Sequence, residues 1–441
     1  MLIYYLQNFL PKFFEAFENL VRKPAKFIIT VAPLSHSFIR KFHRTMKKAS
    51  FFWFKKYEFR LSSQECLEKT KLIESSSLLI KQPSFLPVEL GKKISNHSFL
   101  MTHPGVFLIK YKDVGVLAGF HLVFDQSLRL AFHDIFYNPT RHALAGEKQL
   151  PTYFSNQSTI GLQTVSIKIE SEQPIVSLFG DANGNFYHFM LETATRAAVV
   201  SDLKQFSYAT FLIEKNLPPN MYIILKALLP KTSKLKTCER FGTLRCKELF
   251  YVTLPGFCPS EDRAYFEKKV LNTPHPEGVT VNLHALRLLK DKLYRSVLDK
   301  TSIDNRHNFK KIYLIRNSPH RKLRNQKRII QIAKDKGFLI VNPEKFAWHE
   351  LFYMCASAEH IIIEAGAAML NLIFAKKTTS VLILSPFIIQ STYSVHHNII
   401  EASGLSSTFL IGSTVKGTVD QGVHMDFEID ERVFDKKIST Y

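Results

Sequence analysis

A histidine and a glutamate four residues apart could act as a general base and the group that orients it. His188 and Glu192 share one face of a predicted helix that begins at Phe186, after a turn-forming stretch ending in Asn185, a candidate N-cap. An imidazole beside a carboxylate is the ordinary arrangement for removing a proton from a hydroxyl group. A surface His–Glu pair has the same spacing, so the spacing alone leaves a structural interpretation open.

A cluster of basic residues directly after an apolar run could bind a phosphate or a diphosphate. The cluster begins with Arg316 and continues with His320, Arg321, Lys322 and Arg324. Guanidinium groups bind phosphate oxygens in pairs, and a loop that leads into a helix adds backbone N–H donors. A solvated loop is the alternative. A nucleic-acid site is not expected, because such platforms interleave exposed aromatic residues with basic ones and this loop contains none.

Small residues separate a strand-like run from a helical run at Glu364–Asn371. Gly366 and Ala367 would let a ligand approach backbone N–H groups, where the helix dipole favours an anion. Close packing of a helix on a strand is the other explanation. The sequence has neither a GxGxxG nor a Walker motif, which argues against dinucleotide oxidoreductases and P-loop enzymes. We predict no metal site, since the acidic pair Asp426 and Glu428 is interpreted as an exposed strand.

The elements that would position these residues alternate between strand and helix. Between Lys311 and Leu384 this alternation predicts a parallel α/β sheet. The predicted strands are Ile312–Ile315, Phe338–Val341, His360–Ile363 and Ser380–Leu384. In such a sheet the ligand lies beyond the carboxyl ends of the strands. Those ends carry Arg316 and Glu364–Gly366, so the candidate anion-binding residues should meet there.

The preceding part of the chain shows two further patterns. Short strands with turns between them are predicted from about residue 72 to 176, with turns at His103-Pro104-Gly105 and Lys112-Asp113. The predicted strands are Ser98–Met101, Gly105–Lys110, Val114–Phe120 and Leu128–Phe132. After the helix from Phe186 to about Leu203, the apolar runs Phe206–Ile213, Met221–Leu228 and Glu248–Thr253 predict a second parallel sheet. Val281–Lys300 is predicted to be a helix.

Composition and charge suggest three parts and an anionic partner. The 441 residues carry a net charge of +21, and residues 1–61 contain 12 Lys and Arg against 3 Asp and Glu. In Phe38–Phe59, apolar and basic residues fall on opposite helical faces, which suits an anionic membrane surface; a helix packed on the protein body is the alternative. The five cysteines form no CxxC pair, which favours a cytoplasmic location. The predicted division is an arm (1–65), an N-terminal lobe (66–300) and a C-terminal lobe (301–441).

Three segments together resemble glycosyltransferase family 61, over about residues 85–385. They are Asn185–Glu192; Ile312–Arg316 followed by Arg324, Asn325, Gly337 and Phe338; and Gly366-Ala367 followed by Asn371 and Phe374. The resemblance implies an α/β protein with two Rossmann-like lobes of the GT-B type. It also implies inverting transfer of a sugar from a nucleotide-sugar donor, with neither a bound metal nor another cofactor.

The same resemblance assigns roles to residues and partners. Arg316, Arg321 and Arg324 would neutralise the leaving diphosphate, and His188, or else Glu192, would be the base. The remaining donor-side residues would be Asn325, Glu364, Gly366, Ala367 and Asn371. The acceptor would be a glycan or a lipid-linked glycan of a bacterial surface (capsular) polysaccharide, and the protein would lie peripherally at the inner face of the cell membrane. A non-catalytic binding protein of the same assembly machinery is the alternative.

Three positions depart from the family pattern. Ala365 replaces a histidine that commonly precedes Gly-Ala, Gln326 replaces a glutamate, and Ile315 replaces a frequent serine. Three residues could supply what Ala365 lacks, and the sequence does not select among them: Glu364, His349 and His396.

Overall fold

The computed structural model describes most of the chain from residue 55 onward. The described residues are 55–61, 68–91, 98–119, 121–125, 130–133, 159–162, 166–169, 171, 173–180, 183–240, 242–257, 279–298, 309–318, 321–387, 393–415 and 425–441. The chain divides into two units, Met1–Phe54 and Lys55–Tyr441, and all of the described residues belong to the second. Apart from residues 55–61, the predicted amphipathic arm lies outside the described residues.

The strands of the described residues are numbered β1 to β22 in chain order. They are β1 Lys55–Leu61, β2 Glu68–Ile73, β3 Ser76–Ile80, β4 Ser84–Leu86, β5 Phe99–His103, β6 Val106–Leu117, β7 Val123–Asp125, β8 Leu130–His133, β9 Thr159–Leu162, β10 Ser166–Ile169, β11 Ile175–Ser177, β12 Thr210–Glu214, β13 Lys234–Cys238, β14 Thr243–Val252, β15 Gly256–Phe257, β16 Thr280–Val281, β17 Lys311–Leu314, β18 Leu339–Val341, β19 His360–Glu364, β20 Ser380–Pro386, β21 Ser406–Thr414 and β22 Phe427–Glu428.

The α-helices are α1 Val88–Gly91, α2 Phe186–His188, α3 Thr195–Val200, α4 Pro219–Leu228, α5 Leu283–Leu298, α6 Gln326–Asp335, α7 Trp348–Ser357, α8 Ser394–Ala402 and α9 Glu431–Ile438. A π-helix, Phe189–Ala194, joins α2 to α3 without a break. Three 3-10 helices complete the set in the described part of the chain: Lys204–Phe206, Pro343–Lys345 and Ala367–Phe374. The described chain is therefore a mixed α/β protein, as predicted at that level.

A large mixed sheet contains most strands of the N-terminal region, while, within the described residues, β3 pairs only with β5 and β15 only with β16. Its order is β13-β12-β11-β14-β6-β7-β8-β1-β9, with β10 paired to β14 and β2 paired to β6. Strands β11, β12 and β13 run parallel, and β14 is parallel to β11 but antiparallel to β6. Most of the short predicted strands therefore share one sheet with the strands of the predicted second parallel sheet, whereas Ser98–Met101 overlaps β5, which pairs with β3 separately.

Two local predictions in this region are wrong. The predicted turn at Lys112-Asp113 lies inside the twelve-residue strand β6, which continues through Asp113 with a left-handed φ of 50° and pairs with β14 on both sides of that residue. Met221–Leu228 is helical, within α4, which begins at Pro219. Its buried residues recur at helical spacing, so the apolar run had the period of a helix and not of a strand: Met221, Ile224, Leu225 and Leu228.

A smaller sheet contains the four predicted strands of the C-terminal region. Strands β17, β18, β19, β20 and β21 are parallel and lie in the order β18-β17-β19-β20-β21, followed by antiparallel β22. Parallel strands covered by helices on both faces are apolar throughout, and residues 361–363 of β19 are fully buried isoleucines. The parallel sheet predicted from the alternation is confirmed.

Several contacts link the sequence regions that were predicted as separate lobes. Strand β4, Ser84–Leu86, pairs with β21 of the smaller sheet, and β1 of the large sheet begins inside the range predicted for the arm. Asn220 of α4 donates a hydrogen bond to the carbonyl of Phe346 (3.1 Å). One buried apolar cluster also includes residues from both sheets and from the helices α3, α4, α5 and α7. The division into lobes at these boundaries stays a prediction.

Candidate active site

Both sheets have a point at which the strand order reverses, and the candidate residues follow strands at these points. In the large sheet the reversal lies between β11 and β14, and the helical segment with His188 and Glu192 follows β11. In the smaller sheet it lies between β17 and β19, which lead into Arg316 and Gly366. Parallel sheets bind ligands beyond such reversals, because the connections there leave on opposite faces and open a crevice.

Glu192 forms hydrogen bonds with two histidines, of which His121 was not predicted from the sequence. Its Oε1 lies 3.0 Å from Nδ1 of His188, and its Oε2 lies 3.1 Å from Nε2 of His121. Glu192 and His121 side chains are 2% exposed, whereas the His188 side chain is 14% exposed. An Nδ1–H of His188 donated to the carboxylate places the lone pair of the neutral ring on Nε2, as a general base requires.

Glu192 stays ionised although it is buried, because these two histidines stabilise its negative charge. Burial alone raises its pKa, but the charge of His188 and the hydrogen bonds from His121 and His188 outweigh burial and bring the pKa to about 2. Glu192 is therefore ionised near neutral pH. An ionised carboxylate fixes the orientation of the His188 ring and stabilises the imidazolium that forms when the ring accepts a proton.

The helix that carries this pair is wound as a π-helix where Glu192 lies. Thr195 donates its hydroxyl to the carbonyl of Met190 (2.7 Å), five residues back. The fully buried Arg196 donates to the carbonyls of Glu192 (3.1 Å) and Phe179 (2.5 Å), the second of which lies just after β11. Single π turns are rare and occur often at functional sites. Here side chains hold the widened turn in place.

Asn185 has a capping function. Its Oδ1 accepts a hydrogen bond from the N–H of Tyr187 (2.9 Å), as the predicted N-cap should. Asn185 thus fixes where the helix begins and, with it, the position of His188 one turn later.

Arg316 lies over the backbone at Gly366. A methyl group added at Gly366 would lie 3.2 Å from Nε and 3.3 Å from Cδ of Arg316, so glycine permits this close approach. Arg321 follows with a left-handed φ of 55° and directs Nη1 toward the carbonyl of Ala365 (3.4 Å). Burial, together with the charge of Arg321, lowers the pKa of Arg316 to about 10, so its charge persists at neutral pH. Two guanidinium groups therefore lie at the ends of β17 and β19.

A hydrogen-bond network links Glu364 to the backbone of Arg316 through Gln326. Its Oε1 accepts hydrogen bonds from the Tyr313 hydroxyl (2.9 Å) and from Nε2 of Gln326 (2.7 Å), and the same Gln326 amide donates to the carbonyl of Arg316 (3.1 Å). Burial raises the pKa of Glu364, against the effect of these bonds. A glutamate at position 326 would put a second carboxylate beside Glu364, so the glutamine suits this network.

Arg324 and Asn325 contact the C-terminal strand. Arg324 Nη2 lies 2.8 Å from Asp426 Oδ2, and Asn325 exchanges two hydrogen bonds with the backbone of Ile429 (2.8 and 3.2 Å). Asp426 is 5% exposed and also accepts from the N–H of Lys322 (2.7 Å). The interpretation of Asp426 as an exposed residue is therefore wrong, and its carboxylate pairs with the basic cluster.

The helix predicted after the small-residue segment is present as a 3-10 helix, Ala367–Phe374. Asn371 is buried and donates to the carbonyl of Ala368 (2.8 Å), which stabilises the turn. This 3-10 helix packs against α2, so the segment with Ala367 lies beside the segment with His188. The structure thus brings the two candidate sets together.

His396 joins the site from α8. Its ring packs edge-on against Tyr187, with 5.6 Å between the ring centroids. Burial, then the charges of Arg321 and Arg316, lower the pKa of His396 to about 3, so both arginines lie near it. Of the three residues that could replace the histidine absent at Ala365, His396 is thus one that lies within electrostatic range of the arginines. His349 is exposed and packs on Trp348 instead.

No local pattern could have revealed His121. It lies in the connection between β6 and β7 and is 71 positions from Glu192. Within the described residues, no group of three or more His, Cys, Asp or Glu side chains has the geometry to hold a metal ion. Within the same residues, no helix is long and apolar enough to span a bilayer.

Fold and site together describe an α/β protein in which a histidine–carboxylate pair lies beside a segment that carries an arginine cluster. The family model described as Glycosyltransferase 61 matches residues 186–382, which include both sets of residues. This match supports assignment of the chain to glycosyltransferase family 61, as the resemblance indicated. No curated protein matches this sequence. A solved structure, the metal-soaked Flv1 flavodiiron core from Synechocystis sp. PCC6803, has 11% identity, covers 60% of this chain and 81% of that chain, and has a TM-score of 0.18. So low a TM-score supports no inference about fold or function.

Proposed function

We propose that this glycosyltransferase inverts the anomeric centre of a nucleotide sugar as it transfers the sugar to an acceptor hydroxyl. The acceptor oxygen attacks the anomeric carbon from the face opposite the diphosphate. The bond from that carbon to the diphosphate oxygen breaks, and its electron pair leaves with the nucleoside diphosphate. The acceptor's proton passes to Nε2 of His188.

The observation that carries this proposal is the chain of hydrogen bonds from His121 through Glu192 to His188. These bonds orient His188, whose side chain is the most exposed of the three. The helix of His188 packs against the 3-10 helix that follows Gly366, over which Arg316 lies. Proton removal by a positioned base contributes roughly 10²–10⁴-fold to a rate. A base positioned in this way favours an enzyme over a protein that only binds.

Arg316 and Arg321 supply the positive charge in the proposal. As the bond to the sugar breaks, negative charge grows on the diphosphate, and fixed guanidinium groups stabilise it without reorganisation. Arg324, Asn325 and Asn371 serve these positions indirectly, through Asp426 and the backbone. This mechanism assigns the charge stabilisation to arginine side chains in place of a divalent metal.

We further propose a lobe arrangement, a membrane location and an acceptor for this enzyme. Two sheets, each with a strand-order reversal, support a two-lobed GT-B arrangement with the acceptor side in the N-terminal lobe. The basic residues 1–61 support peripheral binding to an anionic membrane, from the cytoplasmic side. The acceptor we propose is a glycan or lipid-linked glycan of a bacterial surface polysaccharide, on the resemblance to the family.

The test combines binding with turnover. A panel of nucleoside diphosphates is screened by thermal shift, and the matching nucleotide sugars are then assayed for transfer or hydrolysis. A bound ligand raises the melting temperature, because it stabilises the native state. We expect the wild type to bind and turn over at least one donor, and His188→Ala to keep the binding and lose turnover by about 10²-fold or more.

The exposed His284→Ala is the matched control and should retain both activities. Binding of a nucleoside diphosphate without any turnover, and with no difference between His188→Ala and the wild type, would support the non-catalytic alternative. Failure to bind any member of the panel would refute a nucleotide-sugar donor altogether.

A further inference from the structure

A histidine that the proposed reaction does not use lies at the junction of the two halves of the site. His396 is in the first turn of α8, which follows β20 of the smaller sheet. Its ring contacts Tyr187, the residue before the proposed base His188. His396 therefore lies between the residues that would remove the acceptor proton and those that would bind the diphosphate.

Two buried nitrogen atoms in this part of the site have no hydrogen-bond partner among the described residues. They are Nδ1 of His396 and Nη1 of Arg316. Arg316 does have another bond, from Nη2 to the Ser318 hydroxyl (3.2 Å). Folded proteins satisfy nearly all buried polar atoms, because an unpaired one loses its bonds to water without replacement. Two such atoms, on side chains close enough to interact electrostatically, indicate a group that the site is built to bind.

The charges around His396 identify the chemistry of that group. Burial and the nearby Arg321 and Arg316 lower its pKa and keep the ring neutral at ordinary pH. A neutral ring still offers an N–H, and it does not add a third positive charge to the two guanidinium groups. The combination suits an anion with several oxygen atoms, of which one meets Arg316 and another meets the imidazole.

We propose that His396 is a further donor-binding residue, whose Nδ1–H and the Nη1–H of Arg316 hold oxygen atoms of the donor's diphosphate. The inference rests on the proposed function, since it names residues of the same site. It also accounts for Ala365, because the imidazole missing there comes from α8 instead. Arg316 provides most of the charge, and His396 fixes the direction of the diphosphate.

The experiment uses the different geometry of two amides. The side-chain nitrogen of asparagine overlies Nδ1 of a histidine, whereas that of glutamine overlies Nε2. Dissociation constants are measured by calorimetry for the wild type, His396→Ala, His396→Asn and His396→Gln. The ligands are the best-bound nucleoside diphosphate, inorganic pyrophosphate and the corresponding nucleoside. His349→Ala, a change of the exposed histidine on α7, is the matched control.

We expect His396→Ala and His396→Gln to weaken nucleoside diphosphate and pyrophosphate binding about tenfold or more, as for a hydrogen bond to a charged group. His396→Asn should stay within about threefold of the wild type, and His349→Ala should equal it. Equal binding by all variants would overturn the inference, as would an equal loss for the nucleoside or rescue by glutamine instead of asparagine.

Two further results keep the test decisive. If wild type binds no nucleoside diphosphate and no pyrophosphate, the proposed function fails and the inference with it. If wild type binds and the His396 variants bind equally well, the inference alone fails. Should His396→Ala not fold, as judged by its melting curve, the contrast between asparagine and glutamine decides, because these two side chains fill similar space.

Discussion

The site has two halves, which we call the base half (His121, His188 and Glu192) and the anion half (Arg316, Arg321 and Gly366). They bury opposite charges and differ in how completely those charges are paired. In the base half, both carboxylate oxygens of Glu192 have a histidine partner. In the anion half, Arg316 keeps a buried nitrogen without a partner among the described residues. A buried charge is costly unless it is paired. The buried carboxylate of the base half is therefore paired before substrate arrives, whereas the buried guanidinium of the anion half gains a partner from its ligand.

This difference predicts how substitutions should divide. Changes in the base half should lower turnover and leave ligand affinity nearly unchanged, because the ligand does not complete that network. Changes in the anion half should weaken affinity first. In an enzyme whose base is already positioned and whose ligand contacts bind the donor, changes in the base half lower kcat and changes in the anion half raise Kd.

The largest effect is expected for Glu192→Gln. The amide has the shape of the carboxylate but no charge, and its N–H₂ would face a histidine nitrogen that now donates to Glu192. Turnover should fall about 10²–10⁴-fold, with the Kd for the nucleoside diphosphate within about twofold. Single-turnover kinetics and calorimetry measure the two quantities. The half-exposed Glu248→Gln is the control, and an unchanged kcat in Glu192→Gln would contradict the assigned roles.

The second effect is a loss of affinity in Arg316→Lys. An ammonium group cannot bind two oxygens in the fork geometry of a guanidinium, and it cannot fill the position over Gly366 in the same way. We expect Kd to rise about 10- to 100-fold, with a smaller change in kcat at saturating donor. Arg328→Lys, at a side chain that is 62% exposed, should match the wild type. Similar affinities for both variants would mean that Arg316 does not bind the donor.

The third effect concerns stability. His121→Leu removes the partner of Glu192 Oε2 in a side-chain environment that is 2% exposed. The unfolding free energy should decrease by about 1–3 kcal/mol, as measured by urea denaturation. His284→Leu, at an exposed position, should change it by less than about 0.5 kcal/mol. Equal stabilities would show that the base half does not depend on His121.

The sequence predicted those parts of the site that local periodicity determines. Apolar runs of strand length place Arg316 and Gly366 at strand ends, and an i, i+4 spacing places His188 beside Glu192. These relations depend on near neighbours in the chain. The buried isoleucines of β19 show the same principle, because a strand covered on both faces must be apolar throughout.

The parts that the sequence could not predict depend on tertiary contacts. His121 meets Glu192 only after the β6–β7 connection is folded against the π-helix, and the π-helix itself depends on Arg196 and Thr195. Asp426 carries no local sign that it is buried beside Arg324. The strand predicted at Met221–Leu228 had helical spacing, so that error could have been avoided.

The fourth effect is a pH dependence that His396 contributes. Its folded-state pKa, about 3, lies below the ordinary value of 6.5. The unfolded chain therefore binds the proton first, and stability falls as pH decreases from 6.5 toward 3. Between about pH 6.5 and pH 5 the wild type should lose roughly 1–2 kcal/mol more than His396→Asn.

Urea unfolding at several pH values measures this difference. The charged groups that act on His396 are Arg321 and Arg316 on the loop after β17. The helix of His396 also carries His397 and Glu401, which lie 3.8 Å from each other. Burial raises the pKa of Glu364 and so gives a dependence of opposite sign. Both proteins share that contribution, so it cancels in the difference. Parallel stability curves would show that the His396 ring is not kept neutral by its surroundings.

The smallest effect, from Gly366→Ala, tests how closely the anion half is fitted. The backbone at Gly366 is extended (φ 168°), so alanine is allowed there, but its methyl group would lie 3.2 Å from Nε of Arg316. The arginine must then move by a few tenths of an ångström. We expect Kd to rise about two- to fivefold, less than about 1 kcal/mol, with kcat unchanged. Gly184→Ala is the matched control, because no atom of the described residues lies within 4 Å of the added methyl group. If both variants bind equally, the anion half tolerates movement. If Gly366→Ala binds as weakly as Arg316→Lys, the guanidinium is held as rigidly as the base, and the contrast between the two halves lies in pairing alone.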